Sequence, residues 1–179
     1  TDRFISLRER TKLANRSGAD LFISVHANSS RLRSIRGVET YYLSFTTNQW
    51  ALDVASRENA AGQRSIHELE SLLSKIALTE KIQESREFAS KVQSSLYGGL
   101  AKKTRGLSNR GVRKAPFMVL IGAKMPAVLA EIGFLSNPHD EKLLKASSYR
   151  QEIAKHLFEG ISGYADTLSK VTLTQSVSD

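Results

Sequence analysis

Two short apolar runs in this chain each break at a single chemically active side chain. In Ala19-Asp-Leu-Phe-Ile-Ser-Val-His-Ala-Asn28, the mostly apolar Leu21 to Val25 stop abruptly at His26, with Asn28 and Ser29 just beyond. A short apolar run bounded by polar residues reads as a buried strand. In an open α/β sheet, ligand sites gather at the carboxyl ends of the strands. In Pro126-Ala-Val-Leu-Ala-Glu-Ile-Gly-Phe-Leu-Ser-Asn137, Glu131 interrupts the apolar Val128, Leu129 and Ala130, and Gly133, Ser136, Asn137 and Pro138 close the segment. A carboxylate inside an apolar strand costs several kcal/mol unless it has a partner or a raised pKa. Both conditions are common at functional sites. One histidine and one glutamate at two strand ends are the start of a metal or acid–base site.

The remaining pattern fits an α/β fold. A helix is expected from Ser6 to Ser17, with Gly18 suited to the position after its end. Gly37-Val-Glu-Thr-Tyr-Tyr-Leu-Ser44 alternates and is rich in β-branched and aromatic residues, so it reads as a strand. A long polar and helical section runs from Asn48 to about Thr104. Phe117 to Ile121 and Ala127 to Ile132 are the next expected strands, each introduced by a proline. The last helix begins near Ser148, with Ile153, Leu157, Ile161, Tyr164 and Leu168 on its inner face. The fold class expected is a central, mostly parallel sheet flanked by helices, with a helical insertion.

Within the long section, Ser65 and Glu68 suit a capping box. Ala51, Val54, Ala55 and Glu58 follow the i, i+3, i+4, i+7 pattern, so Glu58 points along an apolar helix face. Glu68 and Glu70 fall on the flanks of their own helix face. His67, His139 and His156 occupy helix or turn positions with no strand-end context.

Composition narrows the class. With 179 residues, 40% of them hydrophobic, the chain can bury one domain-sized core. It contains no cysteine, so thiol and disulfide chemistry are excluded. It has no apolar run of the roughly 18 residues that a membrane-spanning helix needs, and no signal peptide is visible. The net charge of +8 is concentrated in Arg31, Arg33 and Arg36, and in Lys102, Lys103, Arg105, Arg110, Arg113 and Lys114. Such patches suit nucleic acid, an anionic wall polymer whose stem peptides carry carboxylates, or a solvated surface. No helix-turn-helix, zinc-finger or aromatic RNA-binding motif accompanies them.

Ser24-Val-His-Ala-Asn28 and Leu129-Ala-Glu-Ile-Gly-Phe-Leu-Ser-Asn137 together resemble the zinc-dependent N-acetylmuramoyl-L-alanine amidases of type 3, which trim bacterial peptidoglycan. Thr1-Asp-Arg-Phe-Ile-Ser-Leu-Arg-Glu-Arg-Thr-Lys-Leu-Ala-Asn15 resembles the segment just upstream of that family's metal-binding histidine. The resemblance runs to about residue 168. It implies that His26 is a zinc ligand and Glu131 the catalytic glutamate. The family's first histidine and its ligand glutamate lie upstream of the Thr1-Asp-Arg-Phe-Ile5 segment. The resemblance therefore implies an amidase domain at 1–169 lacking its N-terminal part and inactive alone, followed by a polar tail at 170–179.

In family members controlled by division-site activators, an inserted helix plugs the zinc site with a glutamate. This implies an autoinhibitory insertion at 48–100, with Glu58 as first candidate for the plug and Glu70 as second, and an activator protein as partner. The implied reaction is hydrolysis of the amide between N-acetylmuramic acid and L-alanine, for wall remodelling or daughter-cell separation. The implied location is the periplasm or the cell exterior. Two other readings stand beside it: a non-catalytic peptidoglycan-binding relative, and a basic nucleic-acid-binding α/β domain.

Overall fold

The computed structural model describes residues 3–60 and 79–175. Its order is α1 (Leu7–Arg16), β1 (Phe22–Asn28), β2 (Val38–Leu43), α2 (Gln49–Ala60), α3 (Thr79–Ala101), β3 (Asn109–Ala115), β4 (Ala127–Phe134), α4 (Pro138–Lys145) and α5 (Ser147–Gln175). The strands form one sheet in the order β1-β4-β2-β3. β1 runs parallel to β4 and β2 parallel to β3, whereas β2 and β4 are antiparallel. The sheet is therefore mixed, with its central pairing antiparallel. Among the described residues no helix is long and apolar enough to cross a membrane.

Local chemistry sets several boundaries. The Glu9 carboxylate accepts from the backbone N–H and the hydroxyl of Ser6, closing the first turn of α1. Gly18, at φ +64°, takes the left-handed conformation that ends the helix. Asn137 caps α4 by accepting from the N–H groups of His139 and Asp140, and Pro138 occupies the first turn, where its missing N–H costs nothing.

Alternation along the strands divides the core in two. Val38, Val128 and Ala130 face Phe88, Ala89, Val92, Leu96 and Leu100 of α3 and Ile153, Leu157 and Tyr164 of α5. Tyr41, Ala127 and Leu129 face Ala51, Val54 and Ala55 of α2 and Phe117, Val119 and Leu120. α3 thus belongs to the core of one layer. α2 packs on the opposite face, where Asn59 donates to the Pro116 carbonyl and accepts from the Met118 N–H.

Four expectations change. Residues 117–121 are no strand: Met118–Leu120 form a 3-10 turn, and the strand lies earlier, in the basic stretch at Asn109–Ala115. β1 is not fully buried. It pairs only with β4 among the described residues, and Val25 is 47% exposed on this edge strand. α5 continues to Gln175, beyond the expected start of the tail at Lys170. Leu168 is exposed, whereas Ile153, Leu157 and Tyr164 are buried as the helical spacing requires. The capping box at Ser65–Glu68, His67 and the candidate Glu70 lie outside the described residues.

Candidate active site

In-register strand pairs send their side chains to the same face of a sheet, and successive residues of one strand to opposite faces. His26 pairs with Glu131 across β1 and β4, and Glu131 pairs with Glu39 across β4 and β2. The three residues form a row over adjacent strands, on the face that Ala127, Leu129 and Tyr41 present to α2. The sheet thereby unites the two residues singled out by sequence and adds a second carboxylate between Val38 and Thr40.

The ends of the row are stitched together. Leu135 donates its backbone N–H to the Asn28 carbonyl at 2.8 Å. Ser30 N–H donates to the Ser136 hydroxyl at 2.9 Å, and the Asn137 amide donates to the Arg33 carbonyl at 2.7 Å. The segments that follow His26 and Glu131 therefore hold each other in place. Asp140 adds to this by accepting from Gly37 N–H and Phe134 N–H while facing Arg36.

Glu131 is fully buried, and neither of its carboxyl oxygens has a hydrogen-bond partner among the described residues. Its pKa is raised well above the ordinary value, first by burial, then by the charges of Glu58 and Glu39, with Arg57 pulling the other way. Burial and the two neighbouring carboxylates thus raise the proton affinity of a group that no hydrogen bond engages among the described residues.

Glu58, on the last turn of α2, contacts Nδ1 of His26 through Oε2. The other ring nitrogen, Nε2, lies 3.0 Å from the Ser24 hydroxyl, two residues back on the same strand face. The neighbouring Arg57 donates to the Asn28 side-chain oxygen at 3.4 Å. A cleft of about 580 Å³, lined by Ser29, Arg31, Trp50, Asp53 and Arg57 among others, opens alongside.

Glu39 was not singled out in the sequence, although it shows the same signal as Glu131, a carboxylate among strand formers. It is fully buried and accepts from the Asn28 amide at 2.9 Å, the Trp50 indole N–H at 3.3 Å and Arg110 Nε at 3.2 Å. Arg113 Nε lies 3.2 Å from the same carboxylate. The basic stretch 102–114 is therefore not uniformly a solvated surface, since two of its arginines turn inward. His139 instead meets Arg36, and His156 sits between α3 and α5 against Glu159, both apart from the row.

Comparison with known proteins agrees with this geometry. The sequence model of the N-acetylmuramoyl-L-alanine amidase family matches residues 1–163. The chain is 31% identical over 172 residues to the N-acetylmuramoyl-L-alanine amidase AmiA of Escherichia coli strain K12, covering 91% of this chain and 58% of that protein. It is 32% identical over 189 residues to the probable amidase AmiB of Haemophilus influenzae, covering 99% of this chain and 44% of the relative. The chain thus spans about half the length of these curated relatives. The crystal structure of an N-acetylmuramoyl-L-alanine amidase from Clostridium difficile 630 superposes with a TM-score of 0.66 at 27% identity, over 92% of this chain and 68% of that one. By family match, identity and fold, this chain belongs to the N-acetylmuramoyl-L-alanine amidase family.

Proposed function

We propose that this chain is part of the catalytic domain of an amidase that cuts the bond between the lactyl group of N-acetylmuramic acid and L-alanine in peptidoglycan, outside the cytoplasmic membrane. The observation that carries the reading is the in-register pair of His26 and Glu131 on adjacent strands, beneath a helix whose Glu58 reaches the histidine.

Zinc suits part of this donor chemistry. His26 offers an imidazole, the commonest metal ligand type. Among the described residues no three His, Cys, Asp or Glu side chains are arranged to hold a metal ion, whereas a catalytic zinc takes three protein ligands and a water. His26 is therefore proposed as one ligand of a set that the whole protein completes. When bound, zinc would lower the pKa of its water and polarise the amide carbonyl.

The chain's own residues have distinct tasks. Glu131 accepts the proton of the attacking water and delivers it to the departing amine. Its burial lifts its proton affinity, which suits a group that must take a proton and give it up again. Glu58 occupies the histidine nitrogen in the resting arrangement, so it acts as the plug, and α2 must shift before His26 is free. An activator that binds the shifted form of α2 would supply that free energy. Among the described residues of the 48–100 section, Glu58 of α2 is the carboxylate that reaches His26, whereas α3 packs in the other layer.

The test is release of stem peptides from purified muropeptides by the full-length protein, with zinc content measured in parallel. Metal-loaded protein that releases none, with or without removal of Glu58, would overturn the reading.

A further inference from the structure

Arg110 and Arg113 have no role in the chemistry above, yet both are built into the site. β2 and β3 pair Val38 with Asn109 but Glu39 with Gly111, so Arg110 is an extra residue at a bulge. Gly111, at φ +79°, takes the left-handed backbone that such a bulge favours. The bulge brings Arg110 and Arg113, which simple alternation would place on opposite faces, onto one carboxylate, Glu39.

Each arginine meets Glu39 through Nε. Among the described residues, no side-chain hydrogen bond engages their Nη groups. The Arg110 guanidinium also lies over the rings of Trp50, at 4.5 Å, and Phe134, at 5.3 Å, which sets its orientation. The side chains keep 19% and 30% of their exposure, so both are held in place yet reachable. Two guanidiniums face one carboxylate, which leaves a positive charge to be matched. Planar arginine forks suit a second carboxylate. Trp50, which Arg110 covers, also lines the cleft beside His26 and Glu58.

We propose that Arg110 and Arg113, positioned by Glu39, bind the stem-peptide carboxylate of the residue that follows L-alanine. This deepens the amidase reading and rests on it. The spacing agrees with the chemistry. Glu39 lies one strand from Glu131, about 4.8 Å across the sheet. In an extended stem peptide, the α-carboxyl carbon of a side-chain-linked second residue lies about 5–6 Å from the nitrogen of the cut bond. A scissile bond beside Glu131 thus places that carboxylate near Glu39 and its two arginines.

The test compares two muropeptides with the full-length protein: one with a free carboxylate on the second stem residue, the other with a carboxamide there. Wild type is expected to favour the carboxylate form by roughly 10–100-fold in kcat/KM, mostly through KM, the scale of a charge-assisted contact. Arg113→Gln, and Arg110→Lys, which keeps a charge beside Glu39, should bring that ratio close to 1. Equal kcat/KM of wild type on the two substrates would overturn the carboxylate subsite while leaving the amidase reading intact. A wild-type preference that survives in both variants would overturn its assignment to these arginines. Hydrolysis of neither substrate would overturn the amidase reading itself, and the subsite with it.

Discussion

The carboxylate of Glu58 rests on Nδ1 of His26, joining the last turn of α2 to the strand that carries the proposed metal ligand. The contact is partly exposed, with the two side chains at 25% and 18%, so it can be lost without unfolding the core.

Removing this contact should raise basal activity. Glu58→Ala in the full-length protein is expected to increase activator-free hydrolysis about 5–150-fold, corresponding to a coupling of about 1–3 kcal/mol. Measuring Glu70→Ala beside it separates the two candidate glutamates. A rise with Glu70→Ala and none with Glu58→Ala would transfer the plug role to Glu70.

Glu131→Gln should keep the fold and the metal but lose about 10²–10⁴-fold in turnover, the usual worth of a general base. The variant also has a stability signature in metal-free protein. The folded-state pKa of Glu131 lies above its ordinary value of 4.5. Its contribution is therefore fully present below 4.5 and is lost as pH rises towards the folded pKa. Denaturant titrations across that window should show wild type losing stability relative to Glu131→Gln. A constant difference between the two would mean that Glu131 is not a desolvated carboxyl group.

Glu39→Ala should destabilise by about 3–5 kcal/mol, because it leaves two partly buried guanidiniums without their shared carboxylate. Arg110 and Arg113 should lose their fixed positions at the same time. Chemical denaturation gives the first quantity. A loss under about 1 kcal/mol, the range of an exposed ion pair, would show that the cluster is solvated.

The crossing of α3 and α5 predicts opposite outcomes for two adjacent glycines. A Cβ on Gly99 would overlap the His156 ring, whereas one on Gly98 would have nothing within 4 Å. Gly99→Ala should cost about 1–3 kcal/mol by overpacking. Gly98→Ala, in an exposed helix interior, should gain about 0.5–1 kcal/mol. Thermal denaturation of the pair checks both signs. Equal effects would mean that the helices do not approach at Gly99.

What the amino-acid order decides alone is local. The apolar run before His26, the carboxylate inside Ala127–Phe134 and the spacing of Ile153, Leu157 and Tyr164 all act within a few residues, and all are visible without the fold. The same spacing along α2 singles out Glu58, because Ala51, Val54 and Ala55 must face the core. What only the tertiary structure decides is pairing between distant segments. β3 is concealed in the sequence because its bulge interrupts the period of two and its arginines imitate a solvated surface. The apolar cluster 117–121, which looks more strand-like, turns into the core instead because Asn59 of α2 ties its backbone at Met118. Glu39 joins the row only when register places it between Glu131 and the bulge, and no local pattern specifies which strands lie side by side.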